Sequence, residues 1–412
     1  MSFRWVAGRI ALAMLLAAGA QSTQAADFVD SAQRRVMLPE RIGRVMPAGP
    51  TAEVLVFALA PDKLIGWTRP LSAAQQRFLP AKAAHLPVIG RLSGPYPTAG
   101  LDALRRLRPD VIVDAGPISA ERSGFADAIQ RQSGIPYIFV DDSIERMPLI
   151  LRSLGTVLGV GDRAEDLAIY AEHAIDALRG RLLIRPPNER PKVYYGRRPD
   201  GLETALPGSP ANEEIDEGGV INVAAGLGRD GRIAITPAQL RAWDPNIIIA
   251  EDRPFYDSLL HDPIWRTLDA VRYKRVYLAP SLPFGWIDDP PGVNRLIGLY
   301  WLSTVFYPDM TQEDLRTQVK EFYDKFYGDK LTDAQVESLM RYAEAKAGET
   351  RRVGGEPLVG IGAALPTPVP GPGGVGTGPA PNTGLGGLGL GPPGRRVPTG
   401  GMVPLAPPTP LH

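Results

Sequence analysis

The hydrophobic pattern of one short segment occurs twice in this chain. Residues 104–114 (LRRLRPDVIVD) and residues 240–250 (LRAWDPNIIIA) align without a gap. In each copy, apolar residues three apart predict the last turn of a helix, which the following proline prevents from continuing. A β-branched run then follows, apolar on both faces as in a buried parallel strand. Two distant copies predict two similar α/β lobes, and a cleft between lobes is a common ligand-binding site.

The first lobe is expected over residues 26–143, where strand-like and helix-like patterns alternate. Helices are predicted at 51–59, 101–107 and 124–132. Strands are predicted at 44–46, 63–67, 88–90, 111–113 and 135–140. This alternation predicts a mostly parallel sheet with helices on both of its faces.

A helical pattern over residues 144–185 predicts a connection between the lobes, with a break or kink at 159–162. The second lobe is expected over residues 186–350. Its predicted strands are 192–196, 247–250 and 275–279, and its predicted helices are 211–217, 292–306, 311–326 and 332–347. The fold class is therefore α/β, with two lobes joined by one long helix.

The two ends of the chain differ in composition from the lobes. Residues 1–25 carry early arginines, the apolar run 10–20 and small residues before a cleavage site, as in a secretory signal peptide. The run is shorter than the roughly 20 residues that span a bilayer, although an uncleaved anchor remains the alternative. Residues 351–412 are rich in Gly and Pro and poor in charge, which predicts a disordered tail. A tail that spans the wall or docks a partner is the alternative.

The overall composition excludes several classes of function. Lys plus Arg and Asp plus Glu both total 45, so the net charge does not indicate nucleic acid or an anionic membrane as a partner. The chain contains no cysteine, which excludes disulfides, thiolate metal sites, a cysteine nucleophile and a lipid-attachment cysteine. The expectation is a monomeric, soluble periplasmic protein.

Candidate ligand-binding residues follow the predicted strands, because ligands of open parallel sheets lie beyond the carboxyl ends of the strands. Guanidinium groups bind oxyanions with two bonds, and aromatic rings cover apolar faces. The pattern therefore predicts a site for a flat, polar, anionic ligand. The candidates are Trp67, Arg69, Arg91, Tyr195, Arg197, Arg198, Arg253, Tyr256, Phe284 and Trp286.

Other site chemistries find little support. The four histidines have no metal-ligand spacing such as i, i+4. The chain has no Gly-rich phosphate loop in a strand–turn–helix setting and no G-x-S-x-G motif. Asp288 and Asp289 are adjacent, and a role at a helix N-terminus suits them better than acid–base catalysis. We therefore predict no catalytic residue, no metal site and no cofactor, and the protein is not expected to be an enzyme.

These features resemble the periplasmic solute-binding proteins of ABC importers. The resemblance covers residues 44–307 and rests on the signal, the two lobes with their helical connection, and the L-x-x-L-x-P-D strand segment followed by Gly-Ile-Pro-Tyr. It is strongest to the iron-siderophore, haem and vitamin B12 class. It implies a shallow cleft, small lobe movement, and a permease with its ATPase as partners.

The resemblance also implies one acidic residue on each lobe that contacts the permease. Asp102 has that place on the first lobe, whereas the equivalent place on the second lobe holds Ala238 or Gln239. Glu213 or Glu214 is the expected substitute. The function expected is capture of a ferric siderophore or similar metal chelate. A molybdate- or tungstate-binding protein of the same fold, and a two-lobed α/β enzyme, remain alternatives.

Overall fold

The computed structural model describes residues 26–182, 189–308 and 314–343. The predicted signal peptide and the predicted tail both lie outside these described residues. Within them, no helix is both long and apolar enough to cross a membrane.

The first lobe is built on a parallel sheet whose central strand comes from the repeated segment. Strands β3 (Val45–Pro47), β4 (Val111–Ala115) and β5 (Tyr137–Val140) pair in that order. Single parallel bridges from Val45 to Leu64 and from Trp67 to Val88 extend the sheet. Every residue of β4 and β5 is buried, as expected of a parallel sheet covered on both faces.

A hairpin of β1 (Ala26–Val29) and β2 (Arg35–Leu38) precedes this sheet. It is attached to the sheet through Ser31, whose backbone N–H donates to the carbonyl of Phe139. The helices of the first lobe are α1 (Pro50–Leu59), α2 (Ala73–Gln76), α3 (Ala81–Ala84), α4 (Leu101–Leu107) and α5 (Ala120–Ser133).

Two packed helices connect the lobes, α6 (Met147–Val157) and α7 (Gly161–Leu182). The predicted break lies between them, where Gly159 adopts a φ of 66°. Gly155 faces Ala164 so closely that any side chain at residue 155 would collide with it. The glycine therefore allows α6 and α7 to pack against each other directly.

The second lobe contains a four-stranded parallel sheet in the order β11-β10-β6-β8. These strands are β6 (Lys192–Gly196), β8 (Ile221–Asn222), β10 (Ile247–Ala250) and β11 (Val276–Leu278). A separate antiparallel pair consists of β7 (Glu203–Ala205) and β9 (Arg232–Ala234). The helices are α8 (Glu213–Glu217), α9 (Pro237–Trp243), α10 (Arg253–His261), α11 (Asp269–Arg272), α12 (Arg295–Phe306), α13 (Leu315–Phe322) and α14 (Asp333–Met340).

The two copies of the repeated segment have the same local structure. Each helix ends at a left-handed residue, Arg108 with φ 47° and Asp244 with φ 44°. Each of these residues donates its N–H to the carbonyl of the leucine that begins the repeat. The strand that follows lies inside its sheet in both lobes. The prediction of two α/β lobes with parallel sheets is therefore confirmed.

The lobes share a continuous hydrophobic core. Buried residues of both main sheets belong to one cluster, which also includes α7 and α12. Helix α12 is buried around almost its whole circumference, as is typical of a helix inside a core. Such an apolar interface restricts movement of the lobes relative to each other.

The helix predicted at residues 311–326 is shorter in the structure. Helix α13 ends at Phe322, and a π-helical turn over Tyr323–Tyr327 follows it.

Candidate ligand-binding cleft

A cleft of about 1370 Å³ lies at the carboxyl ends of strands from both lobes. The first lobe contributes residues that follow β4, among them Ala115 and Gly116. The second lobe contributes residues that follow β6, β10 and β11, among them Arg197, Glu251 and Ala279. Parallel strands bring their ends to one edge of each sheet, which is why residues far apart in the chain meet here.

The structure brings half of the sequence-predicted residues into this cleft. Those that line it are Arg91, Tyr195, Arg197, Arg198 and Trp286. Those that do not line it are Trp67, Arg69, Arg253, Tyr256 and Phe284.

The predicted aromatic surfaces mostly belong to the core. Trp67 is 1% exposed, donates its indole N–H to the carbonyl of Ala83 at 2.8 Å, and packs against Phe284 with ring centroids 5.8 Å apart. Trp286 is equally buried and directs its indole N–H to the hydroxyl of Tyr323 at 3.3 Å. Their hydrogen bonds are satisfied inside the protein, so these side chains are held as core residues.

Two of the predicted arginines are held elsewhere. Arg253 begins α10, pairs with Asp257 at 2.8 Å and lies 4.0 Å from the ring centroid of Tyr342. Arg69 bonds Asp289 at 3.2 Å and approaches Glu53 at 3.9 Å. Both follow strands in sequence, but neither belongs to the residues that line the cleft.

The cleft arginines of the second lobe are paired with carboxylates. Arg197 lies 3.2 Å from Glu251 and 3.4 Å from Glu203, and it also bonds Asp288. Burial lowers the pKa of Arg197, but the neighbouring Tyr195, Asp288 and Glu251 outweigh burial and raise it above its ordinary value. Arg197 is therefore permanently charged.

The remaining cleft arginines of this lobe use the same carboxylates. Arg198 pairs with Glu203 at 3.0 Å, and Arg232 reaches Asp288 at 3.5 Å. Burial also raises the pKa of the carboxyl group of Glu251, although the positive charge of Arg197 acts in the opposite direction. The second lobe thus presents a network of compensated charges to the cleft.

The sequence analysis missed Arg122, which is the cleft arginine held most firmly on the first lobe. Its guanidinium lies 3.2 Å from Asp114, donates to the carbonyl of Ala115 at 3.1 Å, and covers the ring of Phe139 at 4.5 Å. Asp114 is itself buried and accepts hydrogen bonds from Ser93 at 2.9 Å and Tyr137 at 3.0 Å. Ligands of open parallel sheets lie beyond the carboxyl ends of the strands. The same rule applied to the predicted strand 111–113 indicates the segment that contains Arg122.

Acidic groups outnumber arginines along the cleft. The arginines are Arg91, Arg122, Arg197, Arg198 and Arg232. The acids are Asp114, Glu121, Asp142, Glu203, Glu251, Asp252, Asp288 and Asp289. Each of these arginines already bonds a protein oxygen. The cleft therefore offers both donors and acceptors, in contrast to the predominantly cationic site that the sequence predicted. Among the described residues, no group of three or more His, Cys, Asp or Glu side chains could hold a metal ion.

The structure places Glu213 and Glu214, the acids expected to contact a permease, beside a buried arginine. Glu214 is fully buried and lies 3.6 Å from the buried Arg295, while burial raises its pKa well above the ordinary value. Glu213 bonds Arg295 at 2.6 Å and accepts from the N–H of Ile144 at 2.8 Å. Glu214 therefore lies in the interior of the second lobe, whereas the partly exposed Glu213 is tied to Arg295 and to Ile144. Asp102, by contrast, has a side chain that is 91% exposed in the first turn of α4.

Comparison with known proteins shows which proteins this chain is similar to. The sequence profile of the periplasmic binding protein family matches residues 87–282. The structure of an ABC transporter solute-binding protein from Sulfurospirillum deleyianum is 28% identical and covers 76% of this chain and 99% of that chain, with a TM-score of 0.68. The predicted resemblance to the periplasmic solute-binding proteins of ABC importers is thereby confirmed.

More distant relatives have the same fold. A periplasmic solute-binding protein from Veillonella parvula has a TM-score of 0.65 at 22% identity, covering 77% of this chain and 98% of that chain. The molybdate-binding protein MolA of Haemophilus influenzae is 23% identical in an alignment of 325 positions that covers 73% of this chain and 90% of MolA. All three relatives are named as binding proteins, and the chain has the same architecture.

Proposed function

We propose that this protein is the periplasmic substrate-binding component of an ABC importer and that its cleft captures a metal chelate such as a ferric siderophore. The size of the cleft carries the proposal. Ligand pockets in proteins usually measure roughly 300–1,000 Å³, and this cleft of about 1370 Å³ is larger. A chelate of several hundred daltons suits this volume, whereas a single tetrahedral oxyanion fills only a small part of it.

The polarity of the cleft supports the same ligand class. Chelating molecules carry carbonyl, hydroxyl and amide groups, and these groups need donors and acceptors on the protein. The cleft supplies guanidinium groups such as Arg122 and carboxylates such as Glu251 and Asp252. Since the arginines are already compensated by protein oxygens, the site does not require a ligand with a high negative charge.

A second candidate ligand is molybdate, which the similarity of this chain to a molybdate-binding protein favours. The relative named as a molybdate-binding protein aligns over 90% of its own length. Arg122 supports this candidate, because the buried Asp114 fixes its guanidinium and spares it part of the ordering entropy that an anion contact otherwise requires. Bidentate bonds from arginine suit a tetrahedral oxyanion.

Ligand titration tests the proposal. Purified protein is titrated with ferric siderophores, nickel–histidine, haemin and sodium molybdate, and binding is followed by calorimetry. We expect a chelate to bind. Binding of molybdate alone would transfer the function to the second candidate, and binding of none of these probes would refute the proposal. Native mass spectrometry of protein taken from its own periplasm identifies the bound molecule independently.

A matched pair of arginine variants tests the position of the site. Arg122→Gln removes a charge-assisted bond and should weaken binding by about tenfold to a hundredfold. Arg253→Gln is the control, because Arg253 also follows a strand but does not line the cleft. A melting curve for each variant separates lost affinity from lost folding. Equal affinities for the two variants would show that the ligand does not contact Arg122.

A further inference from the structure

We propose that Asp142 binds a positively charged group of the ligand, so that the cleft selects chelates that carry an ammonium group. The proposal rests on the proposed function and names the substrate class more closely. Asp142 was not among the residues that the sequence pattern selected.

Asp142 lies where the two lobes meet in the cleft. It follows β5 of the first lobe and lines the cleft. Arg295 of the second lobe donates from Nη2 to the backbone carbonyl of Asp142, and from Nη1 to the carbonyl of Pro210 at 3.4 Å. Pro210 also lines the cleft. One guanidinium therefore holds cleft-lining segments of both lobes side by side.

The carboxylate of Asp142 has no partner in the described part of the chain. Asp142 is 4% exposed, yet its side chain makes no hydrogen bond and no ion pair with a described residue. Neither carboxylate oxygen is sealed from solvent, so the carboxylate remains accessible from the cleft that the residue lines. Buried polar groups in proteins are nearly always hydrogen-bonded. An unpartnered carboxylate that faces a cleft therefore indicates a partner on the ligand.

The other buried acids of the cleft are paired within the protein. Asp114 lies 3.2 Å from Arg122, and Asp288 bonds Arg197. Burying a carboxylate costs free energy unless a cation or hydrogen-bond donors compensate it. Asp142 has the same degree of burial as these two acids but lacks an arginine bonded to its carboxylate.

Arg295 does not supply the missing bond. Its guanidinium bonds the backbone carbonyl of Asp142 and the carboxylate of Glu213 at 2.6 Å, rather than the carboxylate of Asp142. Burial raises the pKa of Asp142, although the positive charges of Arg295 and Arg122 act in the opposite direction. A cation bound at the carboxylate would offset the penalty that burial imposes on its charged form.

The charge balance of the cleft favours the same ligand group. Every arginine that lines the cleft already bonds a protein oxygen. Glu121 and Asp252 also line the cleft, and their side chains form no hydrogen bond or ion pair with a described residue. The charge left uncompensated in the cleft is therefore negative. An ammonium group complements it, because it carries a positive charge and three N–H donors. Molybdate, an anion, does not.

A pair of ligands that differ in one charge tests the proposal. Ferrioxamine B and its N-acetyl derivative contain the same ferric trihydroxamate, but only the first carries a terminal ammonium group. Calorimetric titration should show that the wild type binds ferrioxamine B about tenfold to a hundredfold more tightly than the N-acetyl form. Asp142→Asn should lose most of this preference and bind the N-acetyl form about as tightly as the wild type does, which also shows that the variant is folded.

Asp141→Asn is the control, because Asp141 is the adjacent acid but pairs with Arg146 at 3.5 Å and does not line the cleft. It should keep the preference of the wild type. Asp142→Asn is also titrated with every other chelate that the wild type binds.

Several results would overturn this inference and leave the proposed function intact. They are equal affinities of the wild type for the two ferrioxamines, unchanged affinity of Asp142→Asn for a positively charged chelate, and binding only of chelates that carry no positive group. If the wild type binds no chelate at all, the proposed function fails and the inference fails with it.

Discussion

Removing the buried guanidinium of Arg295 should destabilise the protein strongly. Arg295 is fully buried on α12 and bonds Glu213 at 2.6 Å and the backbone carbonyl of Asp142. It also lies 3.6 Å from Glu214, both of whose carboxylate oxygens are buried without a hydrogen-bond partner in the described structure. One cation therefore compensates two acids of the second lobe and also bonds the backbone of the first lobe. Arg295→Met keeps much of the side-chain volume but removes that cation.

The magnitude follows from leaving buried carboxylates uncompensated. Breaking a buried ion pair by removing one partner costs about 3–5 kcal/mol. For domains of this size each kcal/mol lowers the melting temperature by roughly 2–4 °C, so we expect a decrease of roughly 6–20 °C. Adding Glu214→Gln to Arg295→Met should restore part of the loss, because it removes one of the buried carboxyl groups that Arg295 compensates.

Thermal melting followed by circular dichroism measures the effect. Arg152→Met is the control, because Arg152 also pairs with two glutamates, Glu165 and Glu172, but does so in solvent. Solvent screens such pairs, so its melting temperature should change little. A loss below about 1 kcal/mol in Arg295→Met would refute the view that this arginine neutralises the junction between the lobes.

Further predictions concern pH, docking and the two ends of the chain. Burial raises the pKa of Glu53 from 4.5 to about 7, with Thr68 and Arg69 opposing the effect. The folded protein thus binds a proton that the unfolded chain has released, so this contribution to stability should be lost as the pH rises from 4.5 to 7. Glu53→Gln should flatten that dependence, and equal pH profiles for the two proteins would contradict the reasoning. Asp102→Ala should weaken transport in whole cells while ligand affinity stays unchanged, and normal transport would exclude Asp102 from docking. Deletion after Arg352 should leave the melting temperature and ligand affinity unchanged, and a clear decrease in either would show that the tail packs on the lobes. N-terminal sequencing of the exported protein should find Ala26 or Asp27, and an intact Met1 would exclude cleavage.

The sequence by itself determined the two lobes, because their signals are local. A helix that ends at Arg108 or Asp244, followed by a proline and a β-branched run, specifies the same helix–strand unit twice. Hydrophobic periodicity over neighbouring residues determines which segments are helices and which are strands. The rule that ligands lie beyond the carboxyl ends of parallel strands then identified the edge of each sheet that forms the cleft, which Arg91 and Arg197 line.

Only the tertiary structure decided which way each side chain points and which charges meet. Trp67 follows a strand like the residues of the cleft, but it turns into the core because a buried carbonyl accepts its indole N–H. Glu214 looks like a surface acid in sequence, but Arg295, far along the chain, pairs with it in the core. Arg122 is held at the cleft by its ion pair with the buried Asp114. Hydrophobic periodicity depends only on residues that are close in sequence. Burial and ion pairing depend on contacts between distant segments, and these contacts exist only once the lobes have packed.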